Sequence, residues 1–253
     1  MKYNIKASIF VFVMFLNIGF SQNLEIFFEK GNELYNKGEY ELAIVEYNKI
    51  LNENMQSSEL YFNMGNSYYK LNRIAECNYY YEKALILSPK NKDILENLSY
   101  AKNMTLDSIE ELPKTQFQEK ADSIISFFSI STWAFISIGL MFMFLVMAML
   151  YLFSFKPLLK RVYFSLSIIL LLISFVISTF IWSESKKIDE TKMGIIFSKE
   201  LSVFSEPNNR NEEIFILHEG TKVQILDQLT GWEKIKLANG SEGWVIKDQI
   251  KKL

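Results

Sequence analysis

The chain has one cysteine, Cys77, and one histidine, His218, among its 253 residues. One thiol cannot close an internal disulfide, and a lone histidine in a turn with no Cys/His/Asp cluster nearby offers no zinc-type ligand set. Cys77 falls at a helix-packing position of the pattern described below, which suits a buried thiol rather than a reactive one. Neither sign of charge dominates: the net charge is -2, and no basic patch interleaved with aromatics appears, which argues against a nucleic-acid partner. Phosphate-binding loops, nucleophile elbows, His-Glu-x-x-His and well-placed carboxylate pairs are missing too. The sequence therefore predicts no enzyme, no metal and no cofactor.

Charge is missing most tellingly from two stretches. None occurs from Trp133 to Phe155, nor from Val162 to Trp182. Each run is about the ~20 residues a helix needs to cross a bilayer core. Apolar on every face, they suit lipid better than the core of a small soluble domain. The absence of charge inside them also argues against a transport path. Between them Lys156, Lys160 and Arg161 crowd around Pro157. Positive charge is retained on the cytoplasmic face, and short loops obey that rule best.

The N-terminus is apolar in a different way. Lys2 and Lys6 precede "ASIFVFVMFLNI", and Gly19-Phe20-Ser21 sets small residues before Gln22. That pattern predicts a cleavable export signal, with an uncleaved anchor as the alternative. The expected order is then a signal over 1–21, a helical module over 23–105 and a linker over 106–131. Spans at 132–155 and 162–182 follow around a cytoplasmic loop at 156–161, with a last module at 193–253. The linker carries Pro113, and its Ile124, Ile125, Phe127 and Phe128 suit a segment entering the membrane interface. Both soluble modules are expected on the outer side.

The helical module repeats itself. "IFFEKGNELYNKGEYELAIVEYNKIL" (Ile26–Leu51) and "LYFNMGNSYYKLNRIAECNYYYEKAL" (Leu60–Leu85) superpose at an offset of 34 residues. Gly31 pairs with Gly65, Asn32 with Asn66, Ala43 with Cys77, and Tyr47 with Tyr81. A period of about 34 with apolar residues at helical spacing resembles tetratricopeptide (TPR) repeats, implying pairs of antiparallel helices. Asp93–Met104 supplies a further half-repeat or capping helix. The resemblance implies a ligand on the concave face lined by the first helix of each pair. That nominates Phe28, Asn32, Tyr35, Phe62, Asn66 and Tyr69, the aromatics as anchors for a peptide. For Asn32 and Asn66 the structural repeat role is favoured, whereas Phe28 and Phe62 fit packing against the cap and anchoring a peptide equally well. The surface is acidic, which favours a basic partner, although such runs are commonly just solvated faces.

Beyond Trp182 the pattern turns to short Val, Ile, Phe and Trp runs, "IIFSKELSVFSEPNN", "KVQIL", "WEKIKL" and "GWVI", bounded by turn residues. About five strands are expected, with Asn239-Gly240 a hairpin turn. "SVFSEP", "LHEGTKVQIL" and "GWEKIKLANGSEGWV" resemble a bacterial SH3-type domain, implying a small all-β barrel. Relatives that bind cell-wall peptides through an aromatic groove would nominate Phe204, Trp232 and Trp244. In so small a barrel one tryptophan is also expected in the core, with Trp244 favoured.

The fold class is thus a multidomain membrane protein: TPR hairpins, two transmembrane helices and an SH3-like barrel. That order resembles the BatE-type proteins of the Bacteroides aerotolerance (Bat) operon. The resemblance implies a scaffold in the bacterial inner membrane, beside von Willebrand factor A-type membrane proteins and linked to oxidative-stress tolerance. A peptidoglycan sensor or anchor recruiting a wall enzyme is the alternative, and a regulator acting on a membrane enzyme through its spans a third.

Overall fold

The computed structural model describes residues 24–110, 112–113, 115–116, 127–208 and 212–253. The expected export signal, with Lys2, Lys6 and its cut after Ser21, lies outside the described residues, as do Ile124 and Ile125 of the linker. The chain divides into two compact units. One joins the stretch up to Glu110 with Met193–Leu253, and the other is Glu111–Lys192.

The first unit begins with five helices: α1 (24–36), α2 (Tyr40–Asn52), α3 (Ser58–Lys70), α4 (Ile74–Leu87) and α5 (Lys92–Lys102). Glycine decides how closely α1 meets α2 and α3 meets α4. A Cβ at Gly31 would stand 2.3 Å from the Tyr47 ring, and one at Gly65 2.5 Å from the Tyr81 ring. The turns repeat as faithfully: Gly38 and Asn72, 34 positions apart, both take positive φ, +81° and 56°. Asparagine tolerates that region better than most residues with a Cβ. Ser57 caps α3 by accepting from the Leu60 N–H, and Asn91 caps α5 by accepting from those of Asp93 and Ile94. These bonds satisfy donors that a helix start leaves open. The array buries Tyr47, Tyr61, Leu60, Met64 and Tyr81 almost completely.

Seven strands complete this unit: β1 (Lys192–Ile196), β2 (Glu200–Phe204), β3 (Glu213–His218), β4 (Lys222–Leu229), β5 (Trp232–Lys236), β6 (Glu242–Ile246) and β7 (Ile250–Lys252). They form one sheet in the order β3-β2-β6-β5-β4-β1-β7. Strands from both ends feed a single core, in which Leu201, Val203 and Leu217 join Ile196, Ile225 and Ile250. The hairpin at Asn239-Gly240 forms as expected, with Gly240 at φ 88°. β3 and β7 are additional to the expected strands. "IIFSKELSVFSEPNN" divides into β1 and β2 rather than running on.

The second unit is a helical hairpin, α6 (Ile130–Phe153) and α7 (Pro157–Glu190). Both are long and apolar enough to cross a membrane. The turn is only 154–156, shorter than the expected loop at 156–161. Pro157 opens α7, where its missing N–H would have had no helical partner. Serines pin the two helices together. The Ser137 hydroxyl lies 2.9 Å from that of Ser178, and the Ser174 hydroxyl donates to the Ser137 carbonyl at 3.1 Å. Between apolar helices such bonds contribute about 0.6–1.7 kcal/mol.

Candidate functional site

The TPR face is organised by a hydrogen-bond pattern that repeats with the chain. Asn32 Oδ1 accepts from the Tyr47 hydroxyl at 2.8 Å and from Asn63 Nδ2 at 2.9 Å. Asn66 Oδ1 accepts from Tyr81 at 2.7 Å and from Asn97 Nδ2 at 2.8 Å. Each carbonyl is fully used, so what Asn32 and Asn66 offer a ligand is the amide N–H side. Burial pushes the Tyr47 phenol up to about 12 and raises Tyr81 further in the same direction. Both therefore stay neutral donors at ordinary pH. Phe28 leans on Tyr47 with ring centres 6.0 Å apart, and Phe62 on Tyr81 at 5.9 Å.

Tyr35, Asn66 and Tyr69 come together on this face around a cavity of about 190 Å³, completed by Lys70, Tyr81, Asn97 and Tyr100. The last four were not foreseen. The 31-residue spacing from Asn66 to Asn97 repeats that from Asn32 to Asn63, and it was the available signal for Asn97. Tyr100 donates to Glu96 at 3.2 Å, which turns its phenol along α5. Phe28, Asn32 and Phe62 do not line the cavity.

On the sheet, Phe204 stands opposite Trp244, and Trp244 opposite Lys234. Trp232, two residues from Lys234, shares that face. Its ring meets Phe204 edge-on at 5.6 Å. The alternating residues Val203, Glu233, Ile235 and Val245 point into the core. Trp244 is therefore not the core residue expected: the pleat sends it outward beside Trp232 and Phe204, where all three are half-buried. Gly243 turns inward instead, and a Cβ there would lie 2.3 Å from Val203. Lys234 and Lys236 flank the aromatics, both paired to Glu242 at 2.9 and 3.3 Å.

Family comparisons agree with both halves of this unit. Residues 58–91 match the tetratricopeptide repeat model, 31–72 a TPR repeat model, and 199–251 the bacterial SH3 domain model. The chain carries TPR repeats and a bacterial SH3 domain. No curated protein matches it.

A polar and aromatic seam, not foreseen from the pattern of residues, joins the TPR repeats and the SH3 domain. The Asp107 carboxylate, just past α5, accepts from the His218 backbone N–H at 2.7 Å and from the Thr221 hydroxyl at 2.6 Å. Its other oxygen lies 2.6 Å from His218 Nδ1. Burial alone would raise the Asp107 pKa, but the Thr221 and His218 bonds outweigh it and hold the group below 3.8. Glu82 on α4 pairs with Lys222 at 2.6 Å, and Asn78 Nδ2 donates to the Gly220 carbonyl at 2.9 Å. Gly220 is required twice over. Its φ is +87°, and a Cβ would stand 2.6 Å from Ile74. Ile195, Phe197 and Leu253 of the SH3 half pack into the TPR core cluster. His218 thus belongs to a structural clasp, and no metal-ligating group of three or more side chains occurs among the described residues.

Proposed function

We propose that the protein is a non-catalytic scaffold of a bacterial inner membrane, presenting its TPR repeats and SH3 domain together on the periplasmic side. The seam is the observation that carries this reading. Segments flanking α6 and α7 in the chain share one core and an ion pair between buried Glu82 and half-buried Lys222. A unit assembled from both flanks has to lie on one side of whatever those helices cross, so the crossings between are even in number. Two spans meet that condition. Lys156, Lys160 and Arg161 around the hairpin turn then favour a cytoplasmic turn and an outer face for the unit. An export signal over 1–21 agrees with the same orientation.

Binding is the activity that the uncovered surfaces support. The seam engages α4, the β3–β4 turn and the β7 end, and involves neither the cavity at Tyr35, Asn66 and Tyr69 nor the face of Phe204, Trp232 and Trp244. A partner protein on the TPR face fits a scaffold role in an envelope complex. The module order, like that of BatE-type proteins, points to von Willebrand factor A-type membrane proteins as partners and to aerotolerance as the setting. The outward aromatic face of the sheet favours one second reading, a peptidoglycan anchor.

Brief cross-linking in cells, solubilisation in mild detergent and identification of co-purifying proteins tests the two. Under the scaffold reading, envelope proteins are recovered and Tyr69→Ala with Tyr100→Ala loses them, while Trp232→Ala does not. If Trp232→Ala alone abolishes binding to isolated sacculi and no protein partner is recovered, the anchor reading replaces it.

A further inference from the structure

The cavity on the TPR face is unevenly supplied with hydrogen-bond partners. Its Asn66 Oδ1 already accepts from Tyr81 and Asn97, and the Tyr100 hydroxyl donates to Glu96. Tyr35, Tyr69 and Lys70 line it as well. Their hydroxyls and ammonium, and the Asn66 amide N–H groups, donate to nothing among the described residues. Lys70 is the one charged residue of the lining among the described residues, and no carboxylate is part of it.

Lysines of the first repeat are matched. Lys30, Lys37 and Lys49 pair with Glu33 or Glu46, so the acidic run of the sequence partly neutralises itself. Lys70 makes no ion pair among the described residues. One turn back on α3 stands Asn66 rather than an acid. The counterpart of Lys70, 34 positions earlier, is Asn36, so its charge is not part of the repeat pattern. Open donors around a single positive charge call for acceptors on a group of charge -1. A carboxylate brings two oxygens that only accept. A phosphate monoester, at about -1.5 to -2 at pH 7, would leave negative charge over. At about 190 Å³ the cavity is smaller than the ~300–1,000 Å³ of pockets that enclose whole small molecules, and it suits one side chain. Its lining comes entirely from helices, whose interior N–H groups bond to carbonyls four residues back. No backbone nest is therefore offered to a main-chain terminus.

We propose that this cavity takes the side-chain carboxylate of an aspartate or glutamate from a partner protein. Lys70 and Asn66 hold it, with the hydroxyls of Tyr35 and Tyr69 completing its hydrogen bonds. The inference rests on the scaffold reading and narrows it: the partner brings an acidic segment to the TPR face, although the surface charge of the repeats taken alone favours a basic one.

Fluorescence anisotropy of labelled hexaglutamate, capped at both ends, tests this against the full-length protein in zwitterionic detergent. Capped hexaglutamine is the control. The expected result is saturable binding of hexaglutamate and none of hexaglutamine. Lys70→Gln should bind about 10- to 100-fold more weakly, the scale of losing a hydrogen bond to a charged group. Tyr69→Phe, which removes one donor and keeps the ring, should weaken binding too. Lys90→Gln changes a lysine outside the cavity and should leave binding unchanged. A parent that does not bind hexaglutamate overturns the proposal. So does equal binding of hexaglutamine, or binding that survives Lys70→Gln undiminished. The scaffold reading fails separately. If parent and Lys70→Glu recover the same cross-linked envelope proteins and hexaglutamate stays unbound, the carboxylate site falls and the scaffold stands. Lys70-dependent hexaglutamate binding with no envelope protein recovered keeps the site and removes the scaffold.

Discussion

Gly65 shows how far single residues govern the TPR half. Its missing side chain is filled by the Tyr81 ring, itself almost wholly buried, so the ring has nowhere to go. Gly65→Ala should therefore destabilise the folded unit by about 1–3 kcal/mol, as overpacking of a tight core does, measurable by chemical denaturation. The 34-residue pairing made this contact legible, since Gly31 with Tyr47 and Gly65 with Tyr81 are the same contact written twice. Cys77 was equally legible as a packing residue. Burial pushes its thiol up to about 12, with Glu76 adding to the effect. The reactive thiolate is then scarce at ordinary pH. Native protein should resist maleimide at pH 8 and label fully in denaturant; rapid native labelling at that pH would contradict the burial. The role of Asn32 and Asn66 was less legible. Sequence matched their positions but could not reveal that both carbonyls are used up by Tyr and Asn donors.

Helices announced themselves and strands did so unevenly. β4, β5 and β6 stand out because Val, Ile and Trp alternate between turn signals. β7 has three residues, two of them lysines, and is a strand only because it pairs with β1. β3 has exposed Ile214 and Ile216, so its pattern blurs the alternation that marks a half-buried strand. Trp244 was misassigned for a related reason: which face a strand buries depends on its neighbours' register. Between elements, the clasp of Asp107 on His218 and Thr221 has a pH signature. A carboxylate whose folded pKa is depressed stabilises the fold fully above its ordinary value, here 3.8, and stops doing so as pH falls through the lower folded value. Acid unfolding below about pH 4 should thus include this clasp. Asp107→Asn should cost about 1.5–3 kcal/mol at neutral pH, the scale of hydrogen bonds to a charged group. It should also flatten the acid limb of a stability–pH curve.

At the scale of the molecule the seam was invisible in sequence, since Asp107 and His218 stand 111 positions apart with two apolar helices between. Nothing local in either residue encodes the other. The consequence is a unit made from two segments whose connection runs through a helical hairpin, so the SH3 domain works as part of the TPR body rather than as a tethered module. The most direct measurement is a single cut. A protease site placed in 112–116 of C-terminally tagged protein should be cleaved in mild detergent, and the tag then captured. The TPR fragment should co-elute with the tagged hairpin and SH3 domain, and should be released when Lys222→Glu and Asp107→Lys break the seam. Elution of the TPR fragment on its own from the unmutated protein would mean that the two halves fold apart, and the shared unit with its topology would fall.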